Sequence, residues 1–354
     1  MTSRRHIYHL EELVLYDQDL LVKALELLAD PDQNRIDSAL SVKIDGSPAF
    51  VFGIDHDGFF VSTKSYFNKG GSVRFRSTHA IMDAGFVDSR LQMKMCHLFT
   101  NLREAVRREG IECEKFHLMG DFLFGPGEVK GLNFFRPNVI RYPLNDTKIL
   151  DEAIGICIHT RVPLEPDEPL RSTDILLNDS LIYQMHTAHM VTLPEKYWTG
   201  SLCDSVRDSA LPDRLLADTY SKWANYNLRQ KYGIDFNKYC DNIYDERKSA
   251  LKTETARERC HQEKWKIKSD PSLSSIDYLF ERVTEFKNRV VDDLDSCLPK
   301  NIYIDKRNGF FSESWQIASE GYVLDTGHGL VKLVSRNVFS RYNFDPDTVR
   351  GFAL

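Results

Sequence analysis

ALSVKIDGSPAFVFGI, at residues 39–54, is followed by DHDG at 55–58 and by GFFVST at 58–63. The two apolar runs are rich in β-branched and aromatic side chains, which are typical of strands. The segment between them combines aspartate and glycine, residues that favour turns. The sequence therefore predicts a β-hairpin in this part of the chain.

Helical and strand patterns alternate around this hairpin. Residues 8–30 place apolar side chains at spacings near three and four, which predicts an amphipathic helix, in one piece or two, that ends before Pro31. A second helix is expected over 88–109, ending at Gly110. Further strands are expected over 115–124, 138–144 and 153–160. The first half of the chain is therefore expected to be α+β.

The composition changes beyond Pro163. Charged stretches over 203–265 and 274–296 contain few Gly or Pro and have helical spacing. A strand pattern returns in EGYVLDTGHGLVKLVSR, which predicts two strands joined by a turn. We expect an N-terminal helical segment at 1–35, a core formed by 36–165 and 300–354, and a mainly helical insertion at 166–299.

Composition limits the class of protein. The chain has 354 residues and 42% hydrophobic content, enough to bury a sizeable core in one domain with an insertion or in two domains. No stretch approaches the roughly 18 uncharged apolar residues of a membrane helix, and the start lacks the apolar region of a signal peptide. We expect a protein of the cytoplasm, or of the host cytoplasm if phage-encoded, without membrane contact.

The number of cysteines and the net charge narrow the class of protein only a little further. The seven cysteines are odd in number and never form a C-x-x-C pair, which argues against a disulfide framework and a zinc ribbon. A net charge of -6 gives no general attraction for nucleic acid. Any contact with phosphates must come from a local basic surface.

Four ordered elements carry the candidate chemistry. Lys43 begins K-x-D-G, and the later elements are Asp121 in LMGDFLF, Glu320 in SEGYV and Lys332 in LVKLV. K-x-D-G alone arises often by chance, but the four together, in this order, resemble the covalent nucleotidyltransferases. That superfamily contains ATP-dependent DNA and RNA ligases and messenger-RNA capping enzymes. The runs KIDGSPAFVFG and FFVSTKSYFNKG are most similar to small phage-type RNA ligase-like members.

This resemblance implies a fold, a site and its ligands. The implied fold is a nucleotidyltransferase core, a ligase adenylation domain of antiparallel sheets with flanking helices. The composition adds a large α-helical insertion to it, and we expect no C-terminal OB-fold, because the 22 residues after Lys332 are too few for one. Lys43 is the implied nucleophile, ATP and Mg²⁺ or Mn²⁺ are the implied cofactors, and Glu320 is the implied metal ligand. The implied nucleotide-binding residues are Val42, Asp45, Gly46, Lys64, Asp121, Tyr142, Glu320 and Lys332.

The chemistry gives reasons for these residue types. A lysine attacks the α-phosphorus of ATP only as a neutral amine, so the pKa of Lys43 is expected to be depressed by cations and partial burial. Gly46 would let the backbone turn tightly beside the ribose. Asp45 and Asp121 would accept hydrogen bonds from ribose hydroxyls or orient the lysine through water. An aromatic ring is expected to stack on the base, and the candidates are Tyr142, Phe134 and Phe124.

Two positions depart from the family pattern. Pro48 stands where ligases usually have an arginine, and Lys64 either replaces it as a phosphate ligand or is an ordinary surface lysine. Val334 stands where a second lysine is common. Arg74 and Arg76 alternate with apolar residues, as in a strand whose basic face either binds nucleic-acid phosphates or faces solvent.

The leading functional interpretation is an ATP-dependent RNA ligase. Its partner would be a nucleic acid with 5′-phosphate and 3′-hydroxyl ends, with RNA favoured over DNA. A DNA ligase and a GTP-using capping enzyme remain open within the same superfamily. From other classes, a catalytically silent nucleotide- or nucleic-acid-binding protein and an interaction protein that uses the helical insertion remain open. Under the ligase interpretation, the segment RERCHQEKWKIK, at 257–268, is a candidate clamp for ATP or the polynucleotide.

Overall fold

The computed structural model describes part of the chain, and the fold is mixed α+β with mainly antiparallel sheets. The described residues are 6–29, 40–68, 73–86, 88–113, 115–144, 149–165, 167–186, 197, 199–209, 212, 217, 220–221, 271–308, 311–336 and 348–349.

The strands and helices of this part are labelled in chain order. Strands β1 to β14 are Tyr8–His9, Leu40–Val42, Ala49–Asp55, Gly58–Thr63, Phe116–Phe124, Phe134–Phe135, Ile140–Pro143, Ile154–Pro163, Arg171–Ser172, Ile182–Gln184, Ile302–Asn308, Phe311–Ile317, Tyr322–Asp325 and Leu330–Leu333. Helices α1 to α7 are Leu13–Tyr16, Gln18–Ala29, Lys64–Asn68, Thr78–Asp83, Ser89–Glu109, Gly200–Arg207 and Pro271–Ser296, and a 3-10 turn at Leu10–Glu12 precedes α1.

The largest sheet contains the predicted hairpin. Its strand order is β10-β8-β5-β3-β4, and β9 pairs with the far end of β8. Strands β3 and β4 are antiparallel, with Asp55 opposite Gly58 at the turn, which confirms the hairpin. Gly58 has a φ of 105°, a conformation that glycine adopts without steric cost. The strands predicted over 115–124 and 153–160 are β5 and β8 of this sheet.

Two smaller sheets complete the β structure. One has the order β1-β14-β13-β2, so the predicted C-terminal hairpin is confirmed and pairs with the strand that precedes Lys43. The other has the order β12-β11-β7-β6, in which β7 is the strand predicted over 138–144. The pairing of β2 with β13 is long-range, and it decides which residues meet at the site.

The predicted helices form with recognisable ends. In α5 the Asp88 side chain accepts a hydrogen bond from the Arg90 amide at 2.8 Å, and the helix ends at Gly110, whose φ is 63°. The predicted N-terminal helix forms in pieces, as a 3-10 turn and helices α1 and α2. The helix predicted over 274–296 is α7. Most of the helical prediction over 203–265, with the segment 257–268, lies outside the described residues.

Helix α7 belongs to a core that it shares with the first small sheet. Its buried side chains join those of the N-terminal helices and of β2, β13 and β14 in one cluster, which includes Leu10, Leu25, Leu40, Val283, Val290, Leu324 and Val331. Strands β9 and β10, which lie within the range 166–299, pair with β8 of the largest sheet. Helix α7 therefore packs directly behind the strands that carry the site. Across the part of the chain that is described, no helix has the length and apolarity needed to span a bilayer.

Candidate active site

Lys43 and Glu320 meet because of strand pairing. Lys43 follows β2 and donates its backbone N–H to the carbonyl of Gly321 at 2.8 Å, continuing the pairing of β2 with β13. The Lys43 ammonium donates hydrogen bonds to Glu320 Oε1 and, at 3.1 Å, to Asp45 Oδ1. The side chains of Lys43 and Glu320 are only 17% and 8% exposed. Two distant sequence elements thus form one buried ion pair.

Tyr142 and Asn138 hold the carboxylates around Lys43. The Tyr142 hydroxyl donates to Glu320 Oε2 at 3.3 Å and accepts the Asp45 amide at 3.4 Å. The Asn138 side-chain amide donates to Asp45 Oδ2 at 3.1 Å. Both residues lie at β7, so this strand orients the carboxylates that contact Lys43.

The aromatic candidates occupy three different environments. Tyr142 is buried and stacks on Phe135, with ring centroids 5.3 Å apart. Phe124 is completely buried in the same cluster. Phe134 is half-buried and lies against arginine side chains. The structure therefore places the Tyr142 hydroxyl in the site and its ring in the core.

Gly46 lies where β5 presses against the loop after Lys43. The Ser47 amide donates to the carbonyl of Phe122 at 2.8 Å. A Cβ atom at position 46 would lie 2.4 Å from that carbonyl oxygen and 2.8 Å from Asp121 Cβ. Position 46 therefore has no room for a side chain. The close approach also brings the loop alongside Asp121, which is buried.

Asp121 has a neighbour that the sequence did not indicate. His159, on β8, has its Nε2 3.5 Å from Asp121 Oδ2, and its Nδ1 lies 2.7 Å from the hydroxyl of Thr160. If the Thr160 hydroxyl donates to Nδ1, the proton of the neutral ring is on Nε2 and faces the carboxylate. His159 is thus positioned to orient Asp121.

Lys64 and Lys332 lie close enough to Lys43 to affect its electrostatics. Burial lowers the pKa of Lys332 to about 8, with further lowering by the charges of Lys43 and Lys64. Burial also lowers the pKa of Lys64, although the Asp121 carboxylate opposes this. The three lysines from separate sequence elements thus converge. Val42 ends β2 and packs against the shared core beside them.

Lys43 itself departs from expectation. Burial lowers the pKa of Lys43, but the carboxylates of Glu320 and Asp45 outweigh it and raise the value above normal. The expectation of a depressed pKa is therefore wrong for this arrangement, and Lys43 is an ammonium ion. Burial raises the pKa of Glu320 to about 7 against the opposing effect of Lys43. Burial also favours a raised pKa for Asp45, but the Lys43 charge prevails and lowers it.

A second buried network supports Lys332 from behind. Lys287 on α7 donates to Glu11 Oε1 at 2.7 Å, and both side chains are at most 1% exposed. Arg336 lies 3.3 Å from the same Glu11 oxygen and also pairs with Glu12. Glu12 accepts the amide of His9, which lies opposite Lys332 in the β1–β14 register. Helix α7 is therefore tied by charge to the strand pair that carries Lys332.

Glu320 and Asp45 carry the oxygen donors that magnesium prefers. Among the described residues, one set of three His, Cys, Asp or Glu side chains has ligand atoms within 4.8 Å of one another, and it is Asp55, His56 and Asp57. Glu320 is outside it. Magnesium is usually held by one or two carboxylates together with phosphate oxygens, and Glu320 with Asp45 offers that hard donor chemistry.

Arg74 and Arg76 serve the hairpin turn. Both pair with Asp55, Arg76 through Nη1 and Nη2 at 2.7 and 2.8 Å. Between them, Phe75 makes an isolated bridge to Val61. Arg76 also pairs with Asp57. Two carboxylates therefore engage the two guanidinium groups at this turn, and both arginines are half-buried instead of pointing freely into solvent.

Residues 4–172 and 219–347 match the profile of a family of unknown function, DUF6267. The chain belongs to the DUF6267 family. The matched ranges contain all the site residues described above, from Lys43 and Tyr142 to Glu320 and Lys332. No curated protein and no solved structure matches this DUF6267 chain.

Several site residues of this DUF6267 protein were missed by sequence reasoning. They are Asn138, His159, Glu11, Lys287 and Arg336. Asn138 could have been noticed because it lies four residues before Tyr142 in a predicted strand. The charged network had no sequence signal, since Glu11 and Lys287 are 276 residues apart and each lies in an amphipathic helical pattern.

Proposed function

We propose that this DUF6267 protein is an ATP-dependent nucleotidyltransferase of the polynucleotide-ligase type, acting through a lysyl-AMP intermediate. The observation that carries the proposal is the contact of the Lys43 ammonium with Glu320 and Asp45, beside Lys64 and Lys332. The order of these residues resembles that of the covalent nucleotidyltransferases. The antiparallel sheets around them are compatible with the adenylation core of that superfamily.

In the first step, Lys43 Nζ attacks the α-phosphorus of ATP. A bond forms between nitrogen and phosphorus, and the bond from that phosphorus to pyrophosphate breaks. Lys43 must give up a proton for this attack, and Glu320 already accepts a hydrogen bond from the same nitrogen. Lys64 and Lys332 would stabilise the negative charge that develops on the phosphate oxygens.

A divalent metal held by Glu320, with Asp45 nearby, would neutralise phosphate charge and weaken the hold of the carboxylates on Lys43. Asp121, oriented by His159, would contact the ribose or Lys43. Tyr142 would act through its hydroxyl by fixing Glu320. These roles differ from the initial expectation chiefly in the use of Tyr142.

In the later steps, AMP passes from Lys43 to a 5′-phosphate end, and a 3′-hydroxyl then displaces AMP to form a phosphodiester. RNA is the favoured strand. The nucleotide and the acceptor end distinguish this proposal from a capping enzyme, which would accept GTP, and from a DNA ligase, which would seal DNA ends.

A second candidate is a nucleotide-binding protein without covalent chemistry. One observation favours it: the Glu320 and Asp45 carboxylates raise the pKa of Lys43, after burial is taken into account, and so oppose loss of its proton. Pro48 and Val334 also replace expected basic residues. This candidate predicts ATP binding without an adduct.

The test uses α-labelled ATP or GTP with magnesium or manganese. The purified protein is denatured after incubation, and label that stays on it is measured for wild type, Lys43→Ala and Lys130→Ala. Lys130 is the matched control because its side chain is 71% exposed and it pairs with Asp151 away from the site. We expect label from ATP to stay on wild type and on Lys130→Ala, and none to stay on Lys43→Ala. Nucleotide binding without label in wild type would favour the second candidate.

A further inference from the structure

The outer face of the sheet β12-β11-β7-β6 carries aromatic and basic side chains in register. Tyr303 on β11 lies opposite Arg141 on β7 and opposite Gln316 on β12. On the next strand, Phe134 lies opposite Pro143, which is on the same face as Arg141 because side chains alternate along a strand. The side chains Phe134, Arg141, Tyr303 and Gln316 therefore form one stripe across the sheet, which we call the aromatic stripe.

The stripe is stacked and accessible. The Arg141 guanidinium lies between two rings, 5.1 Å from the Phe134 centroid and 4.5 Å from that of Tyr303. The Gln316 amide donates to the Tyr303 hydroxyl at 3.1 Å. Phe134, Arg141 and Tyr303 are half-buried, and Gln316 is exposed. The residues that alternate with them, such as Ile304, are buried in the core.

Two arginines at this face bind one carboxylate. Arg136 and Arg141 both contact the carboxylate of Asp305. Burial favours a raised pKa for Asp305, but hydrogen bonds from Ser314 and Arg141 and the charge of Arg136 lower it, so Asp305 is an anion. Arg136 is buried and Arg141 is half-buried, so the guanidinium of this pair that a partner could reach is that of Arg141, which lies between the two half-buried rings.

One end of the stripe opens on a cavity that Glu320 also lines. At the β12 edge, Gln316 lines a cavity of about 310 Å³ whose wall also includes Lys300, Glu320 and the carboxylates of Asp292 and Asp295. A strand lying along the stripe would therefore end at the cavity that Glu320 lines.

We propose that the aromatic stripe binds the single-stranded end of a polynucleotide. Bases would stack on Phe134 and Tyr303, and a backbone phosphate would lie near Arg141, a combination that single-strand-binding proteins use without reading sequence. The inference deepens the proposed function and rests on it for its purpose, which is to deliver a strand end to Lys43. Strand binding can be measured separately from adduct formation.

The test measures binding of a fluorescent oligoribonucleotide with a 5′-phosphate, and of the same sequence as single-stranded DNA and as duplex, at fixed salt. Tyr303→Ala and Phe134→Ala remove one stacking ring each, and each should weaken single-strand binding by roughly 5- to 150-fold. Tyr303→Phe is the matched control, since it keeps the ring, and should bind nearly as wild type does. Duplex should bind more weakly than either single strand.

A second variant covers the case in which an alanine variant fails to fold. Gln316→Glu changes an exposed side chain and places negative charge beside the stripe, so it should also weaken binding. If both alanine variants fold and bind the single strand as tightly as wild type does, the proposal is overturned. If the alanine variants do not fold, wild-type affinity in Gln316→Glu overturns it. A preference of the wild type for duplex would also overturn it.

Adduct formation by the wild type separates this inference from the proposed function. If Lys43 forms an adduct but substitutions in the aromatic stripe leave strand binding unchanged, only the proposed role of the stripe is refuted. Stripe-dependent strand binding in a protein that forms no adduct refutes the ligase proposal and leaves the stripe standing.

Discussion

Gly46→Ala tests whether the close approach of β5 positions the reactive lysine. The added methyl carbon would meet the Phe122 carbonyl oxygen at 2.4 Å, and ordinary contact begins at 3.4 Å. The loop or β5 must therefore shift by about 1 Å, and misplacement of this size in an active site can cost about 100-fold in rate. Overpacking of this half-buried position against the buried strand β5 should also lower the free energy of unfolding by about 1–3 kcal/mol.

Gly125→Ala is the matched control. Gly125 follows the same strand β5, has no positive φ, and its added Cβ would meet its nearest neighbours at 3.6 Å, which is normal contact. This variant should therefore fold and react nearly as the wild type does. The pair compares the same chemical change at a position that is pressed against β5 and at a position just after β5 that has room for it.

Two measurements are needed for both variants. Urea unfolding gives the change in stability, and the initial rate of label transfer from ATP gives the change in reactivity at a temperature where both variants are folded. Gly46→Ala with wild-type stability and rate would refute the argument from close approach. Equal losses in both variants would show that the effect is not specific to position 46.

Three further predictions concern side chains around the site. Lys287→Met removes the ammonium that pairs with the buried Glu11 carboxylate and should lower the free energy of unfolding by about 3–5 kcal/mol. Arg207→Met, which removes an exposed ion pair, should lower it by less than about 1 kcal/mol. Equal urea midpoints for the two variants would contradict this prediction. The pKa of Lys332 falls from 10.5 to about 8, so between these values the unfolded chain binds more protons and the contribution of Lys332 to stability rises with pH. The stability of wild type relative to Lys332→Met should therefore increase from pH 8 to 10 by up to roughly 1.4 kcal/mol per pH unit, and a pH-independent difference in urea unfolding would count against it. Tyr142→Phe keeps the stacked ring but removes the hydroxyl that donates to Glu320, and should cost about 1–2 kcal/mol in the same assay; an unchanged midpoint would mean that this hydrogen bond contributes nothing.

Local pattern predicted the local structure well. The β3–β4 hairpin, α5 with its end at Gly110, and the C-terminal hairpin all follow from alternation, helical spacing and turn residues, which act over a few positions. The strand pairing between β2 and β13 does not follow from such patterns, because it joins residues such as Val42 and Tyr322 that are far apart in the sequence. Only the resemblance of the ordered motifs indicated that Lys43 and Glu320 would meet.

The pKa of Lys43 and the ion-pair partners of Arg74 and Arg76 could not be predicted from the sequence for a related reason. The pKa of Lys43 depends on the balance between burial and the contacts with Glu320 and Asp45, and this balance is set by distances of a few ångströms. Arg74 and Arg76 had the alternation of a basic strand face, but the turn brings Asp55 to them. A charge pattern along one segment does not show which partner folds back onto it.

The most direct test of the central claim is the mass of the intact protein before and after incubation with ATP and magnesium, followed by peptide mapping. We expect the wild type to gain the mass of one AMP, peptide mapping to place this AMP on Lys43, and Lys43→Ala to show no gain in mass. No gain in mass, or an AMP group on another residue, would contradict it.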